Sequence, residues 1–348
     1  MKKTIIIAIL VAIGGFLAYK YMPANLQVMK PKVIGAVYLR QHIDAYNGLR
    51  KGIKELGYSD KKVIFDEFLI IPGPTFFEDV EAGVKKMIQD KVDVMFVSME
   101  HQANTALKLT KEAGIDMPIV FMTRFHDPVD YGIAQSYKSS GNNATGVATD
   151  IPRTIQKTLS FFKEINPKAN KIGVFGKGFM IPGFGDIILS ELKKQSPNLG
   201  LAIVEYTTTA APPDAEKAWN EIANKIKPGE IHGLFHIAGH FFGPQEHAES
   251  ELANRLGIPM AAPSEDLLPL GEGLPSGGNF AFSDDFGASA KQAAIMIDKI
   301  FKGTKPSDIP IEFGSKDILT LHMARAKKAG FVFPGSMISI AEVKVETE

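Results

Sequence analysis

Cysteine is absent from the 348 residues. That excludes disulfides, thiolate metal sites, a cysteine nucleophile and a lipid-modified N-terminal cysteine. It suits a chain that folds in an oxidising space with no stray thiol to pair. A charge excess of either sign is missing too. Lys plus Arg is 39 and Asp plus Glu is 39, so the basic surplus of a nucleic-acid binder is not there. The sequence also lacks a Ser-His-Asp nucleophile elbow, a phosphate-binding Walker loop and an HExxH zinc motif. What is present is ordinary for a chain that buries a sizeable core, with 45% hydrophobic and 22% charged residues. At 348 residues it exceeds one compact core, and two lobes are expected.

Residues 1–31 read as a signal peptide or membrane anchor plus a linker. Lys2 and Lys3 precede the uncharged run 4–19, which Lys20 closes. The run is short for the ~20 apolar residues of a bilayer-spanning helix and long for the ~7–15 of a signal-peptide core. Leu17-Ala18-Tyr19 and Met22-Pro23-Ala24 are poor copies of a small-x-small cleavage site. In either case the two lysines stay cytoplasmic and the following chain is sent outward. The expectation is a periplasmic protein or one at the extracellular face of the membrane, in membrane contact through this segment if it is not cleaved.

From residue 32 onward, short β-branched runs alternate with amphipathic stretches. The pattern predicts strands at 32–38, 63–68, 93–97 and 118–122, with helices at 45–56, 77–89 and 103–113 between them. The rhythm then restarts. Helices are predicted at 154–165, 185–195, 214–226 and 245–256, and strands at 171–175, 201–206, 233–237 and 258–261. Such alternation builds parallel sheets with right-handed crossovers. The expected fold is α/β, two Rossmann-like lobes with parallel sheets meeting near 146–152. Lobe 1 is placed at 32–148, completed by about 278–303. Lobe 2 is placed at 149–277, completed by about 304–348. A strand at 278–282, a helix at 286–301 and the stretch 317–330 are the segments expected to cross back.

In sheets of this kind ligands sit beyond the carboxyl ends of the strands. The polar residues there are His42 and Asp44, then Ser98, Glu100 and His101, then Thr123, Arg124, Phe125 and Asp127. Their second-unit counterparts are Phe179, His236, Ser264 and Glu265. Hydroxyls, an arginine, carboxylates and aromatics from independent segments are the makeup of a small-molecule pocket, although each alone serves equally as a helix cap or surface polar group. His42, His101, His126, His236 and His240 all fall at strand ends, and His232, His236 and His240 recur every fourth residue. Residues 231–237 read as a strand, where that spacing gives no tetrahedral set. No metal or cofactor is therefore assigned. Gly176, Gly178 and Gly183 follow a strand but miss the dinucleotide spacing, the third glycine coming five positions after the second instead of three.

Several segments carry a specific likeness. Pro118-Ile119-Val120-Phe121, Asp127-Pro128-Val129 and Gly141-Asn142-Asn143-Ala144-Thr145-Gly146-Val147 resemble the PIVF…DPV…GGNVTGV passage of the ABC-transporter substrate-binding proteins typified by tryptophan and tyrosine binders. The C-terminal stretch resembles that family's closing signature through Ala324, Ala326, Lys327, Gly330, Pro334, Ser336, Ala341, Glu342 and Val343. Residues 48–58 and 302–312 are similar to two further family segments, so the likeness spans about 33–345. It implies a periplasmic-binding-protein type I fold with three hinge crossovers, a partner permease and ATPase, and capture of a solute without bond breaking. Arg124-Phe125-His126, Glu100-His101, 179–185 and 239–247 depart from the family's usual residues, which makes the expected pocket more charged.

The function expected is that of an extracytoplasmic solute-binding component of an ABC importer. It would close its lobes on a small polar, carboxylate-bearing, amino-acid-like molecule. Arg124 is assigned to the anionic group, and His42, Glu100 and His101 to the first-lobe side. Phe125 and Phe179 are assigned to stacking, and His236 and Glu265 to the second lobe. Asp127, Asn143, Thr145 and Gly146 are read as loop and hinge geometry. Two rival readings stand beside it, a membrane-anchored ligand sensor of the same fold and a metal-dependent enzyme using the histidines.

Overall fold

Parallel pairing of fully apolar strands organises both halves of the chain. The computed structural model describes residues 30–71, 73–176, 184–208, 214–237, 244–262 and 278–347. The apolar run at 4–19 lies outside them. Among the described residues no helix is long and apolar enough to cross a membrane.

The first sheet contains β1 (Lys32–Leu39), β2 (Val63–Ile70), β3 (Val94–Val97), β4 (Ile119–Met122), β5 (Ala144–Ala148) and β11 (Glu312–Phe313), in the order β11-β5-β4-β3-β1-β2. All its pairs are parallel. Every residue of β3, β4 and β5 is buried, the mark of central strands covered on both faces, where alternation disappears. Helices α1 (Ile43–Glu55), α2 (Phe76–Gln89) and α3 (Glu100–Glu112) connect them.

The second sheet contains β6 (Lys171–Gly176), β7 (Ala202–Thr207), β8 (Leu234–Phe235), β9 (Met260–Ala261), β10 (Phe280–Asp284), β12 (Asp317–His322) and β13 (Val343–Val345). Its order is β13-β12-β10-β9-β8-β6-β7, antiparallel only between β10 and β12. Helix α4 (Ile151–Ile165) buries Ile151, Ile155, Leu159 and Phe162 along one stripe. Asp150 caps it, accepting the Arg153 N–H at 3.1 Å. Helices α5 (Phe184–Gln195), α6 (Ala215–Lys225) and α7 (Pro244–Leu256) complete this half.

The chain passes between the sheets three times, after β5, after β10 and between β11 and β12. The returning segments divide differently from the sequence reading. Within 278–303, β10 belongs to the second sheet, because its whole length pairs with β12 from Phe280↔Leu321 to Asp284↔Asp317. Only the helix α8 (Phe286–Phe301) returns to the first half, where it lies against α1. Within 304–348, β11 joins the first sheet and the rest the second. Close approach fixes the α1–α8 contact. A Cβ on Gly48 would stand 2.3 Å from the Gly287 carbonyl oxygen, and one on Gly52 would stand 2.7 Å from the Ala294 methyl.

Thr145 and Gly146, read from sequence as loop and hinge geometry, lie within the buried strand β5. Gly146 is a strand residue there, since a Cβ would come 2.2 Å from the Phe121 carbonyl oxygen. Thr145 donates to the Ile309 carbonyl at 2.8 Å, and Asn143 to the Met117 carbonyl at 2.6 Å. These three fix β5 and the loop that leads into it; the crossing itself begins at Thr149.

Candidate functional site

The carboxyl ends of β4, β5, β8, β9 and β10 converge on one cavity of about 100 Å³. From the first half come Arg124, Phe125 and Thr149; from the second, Phe235, His236, Ile237, Ala261 and Ala262. The crossings add Phe282, Ser283, Asp284 and Phe286, and Ile151, Thr154, Ile155, Thr158 and Ile188 close it from α4 and α5. An apolar wall with a few converging polar groups is the usual design of a small-molecule site.

Among the described residues that line this cavity, Arg124 carries the guanidinium. It is buried, and its guanidinium lies 4.8 Å from the ring centroids of both Phe125 and Phe286. Desolvated cation–π contacts contribute about 2 kcal/mol each and fix the flat group in place. The loop that carries it is tied down by Glu100. One Glu100 oxygen accepts the Arg124 backbone N–H at 3.0 Å, and the other pairs with His126 Nδ1 at 2.7 Å. Glu100 is 1% exposed and does not line the cavity. Its role is therefore to hold Arg124, a correction to the reading that placed it against the solute.

His42 and Ser98 stand behind the wall. Ser98 Oγ accepts the Leu39 N–H at 3.3 Å and lies 3.0 Å from His42 Nδ1, joining the ends of β1 and β3. The His42 ring meets Phe286 edge-on at 5.1 Å. Burial, then the Arg124 charge, holds the His42 pKa down to about 3, so the ring is neutral. Two buried polar atoms nearby, Gln102 Nε2 and Thr123 Oγ1, have no partner among the described residues.

Other expected site residues sit elsewhere. Asp44 is exposed in the first turn of α1. His101 packs against Phe77 at 4.8 Å and Phe76 at 5.9 Å, and burial lowers its pKa. Asp127 accepts the Val129 N–H at 2.8 Å and the Tyr137 hydroxyl at 2.6 Å, bonds that brace its own loop. Neither His101 nor Asp127 lines the cavity. Phe179, Ser264 and Glu265 lie outside the described residues. Across the cavity, His236 holds its Nδ1 2.5 Å from Glu249 Oε2, both groups being buried. Among the described residues no cluster of three His, Asp or Glu is arranged to hold a metal ion.

The acidic side of the cavity was not read from the sequence. Asp284 ends β10 opposite Asp317. Arg153 grips Asp317 through two bonds of 2.7 and 2.9 Å and reaches Asp284 Oδ1 at only 3.6 Å. Burial, opposed by the Thr149 hydroxyl and reinforced by Asp317, raises the Asp284 pKa to about 6. Ending the predicted strand at 282 hid it. The polar run Ser283-Asp284-Asp285 between a strand and a helix has the same signature as the strand ends that were noticed.

With this geometry in hand, comparison with known proteins decides the family. Residues 33–345 match the family model for the ABC transporter substrate binding protein. The chain belongs to that family. As a binding protein it has a curated relative, the tyrosine-binding protein of Clostridioides difficile (strain R20291), 33% identical over 150 residues. That match covers 42% of the binding protein and 40% of the relative's length. Its two-lobed fold recurs in the L-Trp complex of an ABC domain from Streptococcus pneumonia, with a TM-score of 0.70, 17% identity, and 90% and 100% of the two chains covered. It recurs too in a ligand-free, open substrate binding protein with adhesive properties from Clostridium difficile, with a TM-score of 0.69, 18% identity, and 91% and 100% covered. The expected fold is thereby met. The strand-end residues that the binding protein brings into its cavity are Arg124, Phe125 and His236.

Proposed function

We propose that this protein is the extracytoplasmic capture component of an ABC importer, and that it closes its two lobes on a small, carboxylate-bearing, amino-acid-like solute. The observation that carries this reading is Arg124, a buried guanidinium stacked between Phe125 and Phe286 in a cavity walled by both sheets and by the crossings between them. A fixed guanidinium fork matches a carboxylate in geometry as well as charge. The apolar wall of Ile151, Ile155, Ile188 and Phe282 suits a hydrophobic solute body. The tyrosine-binding relative and the tryptophan complex support an amino-acid class.

Capture requires no covalent chemistry. Contacts from both lobes favour the closed form, which then presents a different surface to a permease and its ATPase. The lysine-flanked apolar run at 4–19 supports delivery to the outer side of the membrane. The test is calorimetry with a panel of amino acids and their carboxamides on wild type and Arg124→Ala. Tight binding of an amino acid, loss of at least tenfold on amidation, and a similar loss in Arg124→Ala are expected. Equal binding of acid and amide would remove the carboxylate from the reading.

A further inference from the structure

We propose that Asp284 is a cation subsite of the cleft, taking a protonated amine carried by the solute. The proposal rests on the cleft-capture reading above and deepens it. Asp284 lines the cavity at the crossing from β10 to α8 and is 4% exposed. Its Oδ1 has no hydrogen-bond partner among the described residues. Among the described residues the cation paired with it is Arg153, which stands 3.6 Å from that oxygen and is already committed to Asp317 by two short bonds. The Thr149 hydroxyl donates to the Thr123 carbonyl at 3.0 Å and also favours the ionised Asp284 carboxyl, leaving Oδ1 as the unpartnered oxygen.

Buried carboxylates ordinarily collect donors on both oxygens. Here α4 contributes Asp150 and Arg153, and β12 contributes Asp317. Asp285 is occupied by Lys316 at 3.1 Å, while Arg124 and His236 stand on the other walls of the cavity. Among the described residues one guanidinium thus serves three carboxylates, and the balance beside this wall of the cavity is negative. An ammonium group entering the cavity beside Asp284 meets a carboxylate that Arg153 leaves without a full ion pair and offsets the repulsion from Asp317. Arg124 provides the opposite sign in the same cavity, so a solute bearing both charges is favoured over either half alone. A polar site left unpaired by the wrong ligand discriminates strongly against it.

The test uses matched compounds on one skeleton, namely L-tyrosine, its amine-free analogue 3-(4-hydroxyphenyl)propionate and its carboxylate-free analogue tyramine. Corresponding sets are built on tryptophan and leucine. Titration calorimetry at pH 7.5 on wild type is expected to show an amine-free analogue at least tenfold weaker than its parent. In Asp284→Asn that difference should collapse. An amine-free analogue as tight as its parent, or a difference that survives in Asp284→Asn, overturns the cation subsite and leaves capture through Arg124 intact. Tyramine binding as tightly as L-tyrosine supports the subsite and overturns the carboxylate reading. If no amine-bearing compound binds, the subsite falls. Should Asp284→Asn not fold, the wild-type titration is repeated at pH 5.5 in buffers of different ionisation enthalpy. Proton release on binding an amine-bearing compound is expected, and its absence overturns the proposal.

Discussion

Asp284 and Asp317 face one another across the antiparallel pair β10–β12, where the chain passes between the two sheets. Arg153 binds Asp317 bidentately and only approaches Asp284. The pair is thus unequal, with one carboxylate satisfied and the other desolvated beside it. Such arrangements cost stability and recur where a protein awaits a ligand.

That cost has a sign. The Asp284 carboxyl is raised from its ordinary 3.8 to about 6 in the fold, so the folded state holds the proton more tightly than the unfolded chain. Its contribution falls as pH rises from about 4 to 6 and stays low above that window. The loss approaches about 3 kcal/mol, shared by the coupled pair. Asp284→Asn, which cannot ionise, is expected to raise the urea midpoint at pH 7.5 and to change it little at pH 4. A variant less stable than wild type at pH 7.5 would refute the assignment.

His42 works in the opposite direction. Held down to about 3 by burial and by Arg124, it stays neutral in the fold while the unfolded chain takes up a proton below about 6.5. Its contribution is complete above pH 6.5 and is lost as pH falls, by about 2 kcal/mol at pH 5. His42→Gln retains a side chain that can bond Ser98 and removes the titration. Urea melts across pH 5–7 should show a shallower acid loss in this variant than in wild type.

The strand–helix order was legible because it is written in local pattern. Apolar runs such as 119–122 and the stripe from Ile151 to Phe162 each declare their own period. Arg124, Phe125 and His236 could be placed beside the cavity from sequence because the end of a parallel strand is a position that sequence alone locates. The division of the returning segments was not legible. Whether β10 pairs with β9 and β12 or with the first sheet depends on partners far along the chain. Glu100 and Glu249 look alike in sequence to any helix acid, and only burial beside His126 and His236 reveals them as braces. Asp284 was missed for a narrower reason, the placing of one strand end two residues early.

In the proposed site Glu100 acts on the solute through Arg124, whose backbone N–H it accepts, and not by direct contact. Glu100→Ala removes the acceptor of the Arg124 N–H and the partner of His126. Loss of a buried charged hydrogen-bond partner costs about 2–4 kcal/mol of stability. Affinity for a carboxylate probe is expected to fall about tenfold with it. In an Arg124→Ala background the same substitution should leave affinity where Arg124→Ala alone puts it, because the group being positioned is gone. Additive losses in that double-mutant cycle would mean that Glu100 touches the solute itself.

The contact between α1 and α8 links the first lobe to the site. Helix α8 begins at Phe286, whose ring stacks on Arg124 and meets His42. A methyl group at Gly48 would stand 2.3 Å from the Gly287 carbonyl oxygen and 2.7 Å from its Cα. These are backbone atoms, so the helices themselves must part. Overpacking of this kind costs about 1–3 kcal/mol, which outweighs the ~0.5–1 kcal/mol of helix propensity that alanine gains over glycine. Gly48→Ala is therefore expected to lower the melting temperature, and, by displacing Phe286, to weaken binding of a carboxylate probe as well. Gly114→Ala supplies the contrast. A Cβ there meets nothing within 4 Å, but the residue has φ of +65°, so it should cost stability through strain alone and leave affinity unchanged. Equal effects of the two substitutions on affinity would disconnect the α1–α8 contact from the cleft.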